Sequence, residues 1–265
     1  MKTEKRKIKS TSKNILDCLM DRRQRGELML LGGRPSQGKT ALAVHFATKA
    51  IFQKQPTLYF SLEMDRQRLM ERFIAAESRV KLKDIHIGRI PNSSCKILLA
   101  ATKRLTVAPL FVCDHSTLTT HRIRSISRDL KLRLAREGKT LSAVCIDYLQ
   151  LIKDPGALRN RREEELLILK ELKRMAHELE ILVIVNTQLK SSKKRGRPTL
   201  SHLPGGQRMG RIPNTVLFVH REYAYGPPDP KLESFAELIF AKNAHGTTRA
   251  QTVSFDRRSA RFGIK

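Results

Sequence analysis

The sequence predicts an α/β fold: a mostly parallel sheet flanked by helices, with additional strands toward the C-terminus. Three observations carry this. Short apolar runs alternate with stretches of helical periodicity through the first two thirds of the chain. One run, Leu28-Met29-Leu30-Leu31, enters a glycine-bearing loop, and a helical pattern from Ala41 to Ala47 leaves it. In the last third, apolar runs follow one another with no long helix between them.

Taken in order, residues 1–24 read as a basic arm, with a short amphipathic helix at 14–23 carried by Ile15, Leu16, Leu19 and Met20. Residues 25–265 read as one domain, a natural size for a single α/β core. Arg25-Gly26-Glu27 turns into the first strand. A second strand is expected over 57–62, then helices over 65–78 and 93–104. A strand at 110–113 precedes a helix over 119–137, marked by Ile123, Ile126, Leu130 and Leu134. A strand at 143–146, a helix over 162–180 and a strand at 181–185 complete the alternation. The later strands are expected at 215–220, 235–241 and 251–255. The stretch 189–214 reads as one long loop.

Composition narrows the function. The 265 residues hold 52 Lys+Arg against 25 Asp+Glu, a net charge of +27. Such a balance points to a polyanionic partner, most often nucleic acid. With Phe 10, Tyr 4 and Trp 0, no aromatic stacking platform stands out, so phosphate contacts should dominate. No apolar run approaches a membrane span, and the N-terminus is charged with no apolar signal segment after it. A cytoplasmic protein without membrane contact is expected. Cys18, Cys95, Cys113 and Cys145 are scattered and read as reduced thiols, not zinc ligands.

The loop itself reads Gly33-Arg34-Pro35-Ser36-Gln37-Gly38-Lys39-Thr40. Glycine lets the backbone curl so that N–H groups point inward at phosphate oxygens. Gly33, Ser36, Gln37, Gly38, Lys39 and Thr40 are therefore nucleotide-binding candidates, with Lys39 reaching the β- and γ-phosphates. The Thr40 hydroxyl suits Mg²⁺, and the following helix aims its N-terminal dipole at the phosphates. ATP with Mg²⁺ is the expected ligand. Ligands of open α/β sheets gather at the carboxyl ends of the strands. There Asp147 can share the Mg²⁺ shell with Thr40. Glu63 can orient or deprotonate a water, and an amide in Asn186-Thr187-Gln188 can sense the γ-phosphate. Directly after Gln188 come Lys190, Lys193, Lys194, Arg195, Arg197, Arg208 and Arg211, a basic stretch suited to a nucleic-acid backbone.

The strings Ser61-Leu62-Glu63-Met64, Ser78-Arg79-Val80, Ile146-Asp147-Tyr148-Leu149-Gln150-Leu151 and Thr187-Gln188-Leu189, with the phosphate loop, carry a resemblance. From about Arg25 to Phe262 the chain resembles the RecA-like C-terminal motor domain of the DnaB family of replicative, hexameric DNA helicases. That resemblance implies a RecA-like P-loop NTPase core. It implies Asp147 as the Walker B acid, Glu63 as catalytic base and Gln188 as phosphate sensor. It also implies single-stranded DNA threaded through a homohexameric ring, and replication proteins as partners. The family places a lysine–x–arginine pair on a late strand, reaching the neighbouring subunit's γ-phosphate. Lys242 and Ala244 stand at those positions here, so Lys242 is the remaining catalytic candidate and the arginine finger is replaced. The family's N-terminal domain is expected to be missing. An ATP-dependent DNA helicase or translocase is thus expected. The alternative is a weakly hydrolysing ATP- and DNA-binding accessory module, such as a helicase paralogue or loader.

Overall fold

In a computed structural model, residues 25–153, 160–190, 196–224 and 233–263 are described. The expected arm and its short helix, and Cys18, Lys193, Lys194 and Arg195, lie outside the described residues. Among the described residues, nine strands form one sheet in the order β3-β2-β4-β5-β1-β6-β7-β8-β9. They are β1 (Leu28–Gly33), β2 (Thr57–Ser61), β3 (Leu110–Cys113), β4 (Ala143–Asp147), β5 (Leu182–Gln188), β6 (Thr215–His220), β7 (Phe235–Asn243), β8 (Ala250–Asp256) and β9 (Arg261–Gly263). The pairings from β3 across to β6 are parallel, and those from β6 to β9 antiparallel. The expected parallel sheet with later strands is therefore present.

Strands β1, β2 and β4 are buried along their whole length, which is why they read as continuous apolar runs rather than alternating ones. Helices cover both faces. On one face, α1 (Lys39–Phe52) and α2 (Arg66–Ser78) pack with Phe255 and Phe262 of β8 and β9. On the other, α5 (Thr120–Arg136) and α6 (Arg161–Leu179) pack with Leu203 and Met209. Between them in sequence lie the short α3 (Leu82–His86) and the longer α4 (Asn92–Thr106). Side-chain caps start three helices. Asp65 accepts from the Arg68 N–H at 2.8 Å, Thr119 from Arg122 at 3.1 Å, and Asn160 from Arg162 at 3.1 Å.

One expectation is corrected. The stretch 189–214 is not a single loop, for it contains a 3-10 turn (Leu200–His202) and helix α7 (Gly206–Arg211). Leu203 and Met209 are fully buried in the second core. Gly205 and Gly210 permit the tight packing. A Cβ at Gly205 would lie 2.9 Å from the Met209 Cβ, and one at Gly210 2.9 Å from a Leu200 methyl. Helix α3 and strand β9 are also additions to the expected elements. The free thiols among the described residues are Cys95, Cys113 and Cys145. Burial pushes the Cys145 thiol up to about 12, so it stays protonated and inert.

Candidate functional site

Strand β1 ends at Gly33, and the chain curls through Arg34–Gly38 into α1. Gly38 takes φ +102°, a left-handed conformation that suits glycine, and its carbonyl accepts the Leu42 N–H at 2.9 Å to start the helix. A buried anchor holds the loop: the Gln37 side-chain oxygen accepts from the Arg221 backbone N–H. The Lys39 ammonium donates to the Arg34 carbonyl at 3.2 Å, curled over its own loop. Burial pulls the Lys39 ammonium below its usual value, while Asp147 and then Glu63 work against that shift.

A cavity of about 480 Å³ opens over this loop. Ser36, Gly38, Lys39 and Thr40 line it from the loop and α1. Glu63 enters from the turn between β2 and α2, which the Ser61 hydroxyl closes by donating to the Met64 carbonyl at 2.6 Å. Gln188 enters from the end of β5, whose register places it beside Gly33. Three strand ends thus bring a cation, a carboxylate and an amide to one volume.

Asp147 stands behind the cavity wall, 2% exposed. One carboxylate oxygen accepts from the Asn186 amide at 2.6 Å, the other from the Tyr59 hydroxyl at 3.3 Å. These two bonds offset the cost of burying a charge and fix its orientation. Burial, and then the Asp147 charge, push the Tyr59 hydroxyl well above its usual range, so it remains a donor. Gly33, Gln37 and Asp147 support the cavity without lining it, and Lys242 does not line it either. Lys242, on β7, donates its ammonium to the carbonyls of Arg211 at 2.7 Å and Pro213 at 2.5 Å. Ala244 is exposed just past the end of the same strand.

Beyond the phosphate loop, α1 and the β2–α2 turn, the lining residues not picked out as site residues from the sequence are Arg72, Tyr148, Arg221, Phe255, Arg257 and Ala260. The Arg221 guanidinium lies 4.4 Å from the Phe255 ring centroid. This buried cation–π pair packs beside the loop and props the side of the cavity. Its members are far apart in sequence, so no spacing signal joins them. Tyr148 had a signal, since it sits inside the string around Asp147.

The strand end is also tied to the basic segment. The Gln150 side chain accepts from the Gln188 N–H at 3.2 Å and donates to the Thr187 hydroxyl at 3.0 Å. Two residues on, the Lys190 N–H donates to the His202 carbonyl at 2.9 Å. From the phosphate loop, the Arg34 guanidinium reaches the Gly196 carbonyl at 2.9 Å. Of the expected DNA contacts, Lys190, Arg197, Arg208 and Arg211 are exposed, and Arg208 pairs with Glu163 at 3.0 Å. Arg197 is held in a two-point pair with Glu237, at 2.6 and 2.8 Å, which raises its already high pKa.

The residues present suit a small hard cation. Among the described residues no three His, Cys, Asp or Glu side chains group as a metal cage. A hydroxyl and a carboxylate, Thr40 and Asp147, match an ion that takes its other ligands from phosphates and water. No helix of the described residues is long and apolar enough to cross a membrane.

Comparison with known proteins agrees with this geometry. A replicative DNA helicase DnaB of Leifsonia xyli subsp. xyli is 33% identical over 251 residues, covering 93% of this chain and 54% of the relative. One of Treponema pallidum is 32% identical, covering 97% and 56%. The chain thus spans about half the length of the curated relatives it matches. A solved DnaB-like replicative helicase, described with its primase interactions, superposes with a TM-score of 0.83 at 25% identity, over 92% of this chain and 58% of that one. A solved ATPase domain superposes at 0.82 and 26% identity, over 92% and 85%. The model of the DnaB-like helicase C-terminal domain matches residues 9–263, and the chain belongs to that family.

Proposed function

We propose that this chain is the ATP-hydrolysing motor domain of a DnaB-type DNA helicase, acting on single-stranded DNA as a homohexameric ring in replication. The observation that carries this is the convergence of Lys39, Thr40, Glu63 and Gln188 on one cavity, with Asp147 fixed behind it. In this reading the loop N–H groups and Lys39 bind the ATP phosphates. Glu63 takes a proton from the attacking water as it approaches the γ-phosphorus. Thr40 and Asp147 would hold Mg²⁺, which would supply positive charge against that developing on the phosphates. Gln188 reports the γ-phosphate to the segment that starts two residues later. The names of the relatives support the helicase reading over a passive accessory module.

The test is displacement of a labelled strand from a forked duplex. The reading expects displacement that requires ATP; ATP-independent strand binding with no displacement, alone or with added hexamer-forming conditions, would favour the accessory module.

Two further outcomes follow from the same reading. Single-strand binding should weaken with salt at a log–log slope of about −0.7 per phosphate neutralised. Neutralising Lys193, Lys194 and Arg195 together should make that slope shallower by about 2 and weaken all sequences alike. Ala244→Arg should raise turnover where a neighbour docks on the site, because guanidinium grips phosphate in a planar, two-point manner that ammonium cannot. A variant with wild-type turnover at every protein concentration would count against a shared active site.

A further inference from the structure

We propose that a basic groove on the α1–α2 face of the sheet binds a second nucleic-acid strand along its phosphates, independently of the Lys190–Arg211 segment. Two adjoining open cavities, of about 920 and 820 Å³, share Lys81, Glu233, Arg257 and Arg258. Arg79 and Arg261 line the first, and Arg68 and Lys83 line the second. These cations come from α2, its C-cap, α3, the β8–β9 turn and β9. A backbone bond from the Leu82 N–H to the Arg258 carbonyl, 2.9 Å, clips two of those elements together.

The acids along the groove do not balance this charge. Glu71 accepts from or pairs with His86 at 2.8 Å. Asp256 is bound into its own turn, accepting from the Arg258 N–H at 2.9 Å and the Ser259 hydroxyl at 2.6 Å. Glu233 stands 3.8 Å from Arg257. Burial, and then the neighbouring Arg79, pull the Arg261 guanidinium below its usual range, while Glu77 and Asp256 oppose the shift.

The geometry selects a strand over a small anion. Arg68, Lys81, Lys83 and Arg258 are exposed and lie along an open groove, where a small polyphosphate would call for a closed cage of buried donors. Phe255 and Phe262 in the groove wall are buried, so contact is with phosphates and not by base stacking. The location separates this groove from the basic segment: α1, α2, Phe255 and Phe262 belong to one core, and Leu189, Leu203 and Met209 to the other.

The test uses the full chain without nucleotide and an oligothymidylate of about eight residues, short enough to fill one site. Stoichiometry is read by titration calorimetry and affinity across a salt series. The variant carries Arg68→Gln, Lys83→Gln and Arg258→Gln, all at exposed positions, with circular dichroism and ATP binding as checks on the fold. The double variant Lys81→Gln, Arg258→Gln serves if the triple variant unfolds. The expected result is one fewer oligonucleotide bound per chain than in the unaltered protein. The slope at that site should become shallower by about 2, which is roughly a 100-fold loss at 0.1 M salt. Unchanged stoichiometry and slope would overturn the proposal. So would a variant that loses binding of inorganic tripolyphosphate while keeping its oligonucleotide, since the groove would then hold a small anion.

Discussion

Lys39→Ala should give a folded protein that has lost ATP turnover by at least about 10²–10³-fold, the range for removing one preorganised phosphate or oxyanion donor. Its ammonium is the one side-chain cation within the phosphate loop that lines the cavity from α1. Within the loop the ammonium donates to the Arg34 carbonyl at 3.2 Å, so the truncation removes one hydrogen bond and no element of the fold. The thermal midpoint should therefore move little while nucleotide affinity falls. Burial lowers the ammonium's pKa, so the phosphates of a bound nucleotide would supply the charge compensation that Asp147 and Glu63 supply only in part. Isothermal titration with ATP and a coupled turnover assay check this. Wild-type affinity and turnover in a folded variant would place the phosphates elsewhere.

Glu63→Gln should separate binding from chemistry. The side chain is exposed at the rim of the cavity, on the turn that Ser61 and Asp65 stabilise. Glutamine keeps the shape and removes the base, so ATP affinity should persist while turnover falls by about 10²–10⁴-fold. The same change at a residue that only helped hold the nucleotide would raise KM and leave kcat. Equal loss in kcat and kcat/KM with retained binding is the signature of a proton acceptor in the transition state. Normal turnover in the variant would move that acceptor to another group.

Much of this architecture was legible because the chemistry sits at punctuated places. The run Leu28–Leu31, the curl to Gly38 and the apolar stripe after Thr40 announce a strand, a phosphate loop and a helix within a few residues of one another. Asp147 and Gln188 end buried apolar strands and Glu63 stands two residues past another, and parallel strands deliver their carboxyl ends to one edge. What stayed hidden depends on long-range packing. Arg221 and Phe255 meet only because β7 and β8 fold back across the sheet, a pairing that no local period records. Helix α7 was obscured by its glycines and charges, since Met209 is buried by α6 and the Leu200 turn rather than by a regular apolar stripe. The anchoring of Arg197 by Glu237 joins the basic segment to β7, so a cation that looked free for DNA is already paired. The groove cations on α2, α3 and the β8–β9 turn are likewise scattered in sequence and gathered only by the fold.

The central claim is that the cavity over Lys39 hydrolyses ATP as part of a DNA-driven ring. Steady-state ATP hydrolysis, measured across protein concentration with and without single-stranded DNA, tests it most directly. The account predicts a low basal rate that rises per molecule with protein concentration, increases further with single-stranded DNA, and disappears in Glu63→Gln. A rate that is independent of both concentration and DNA would contradict it.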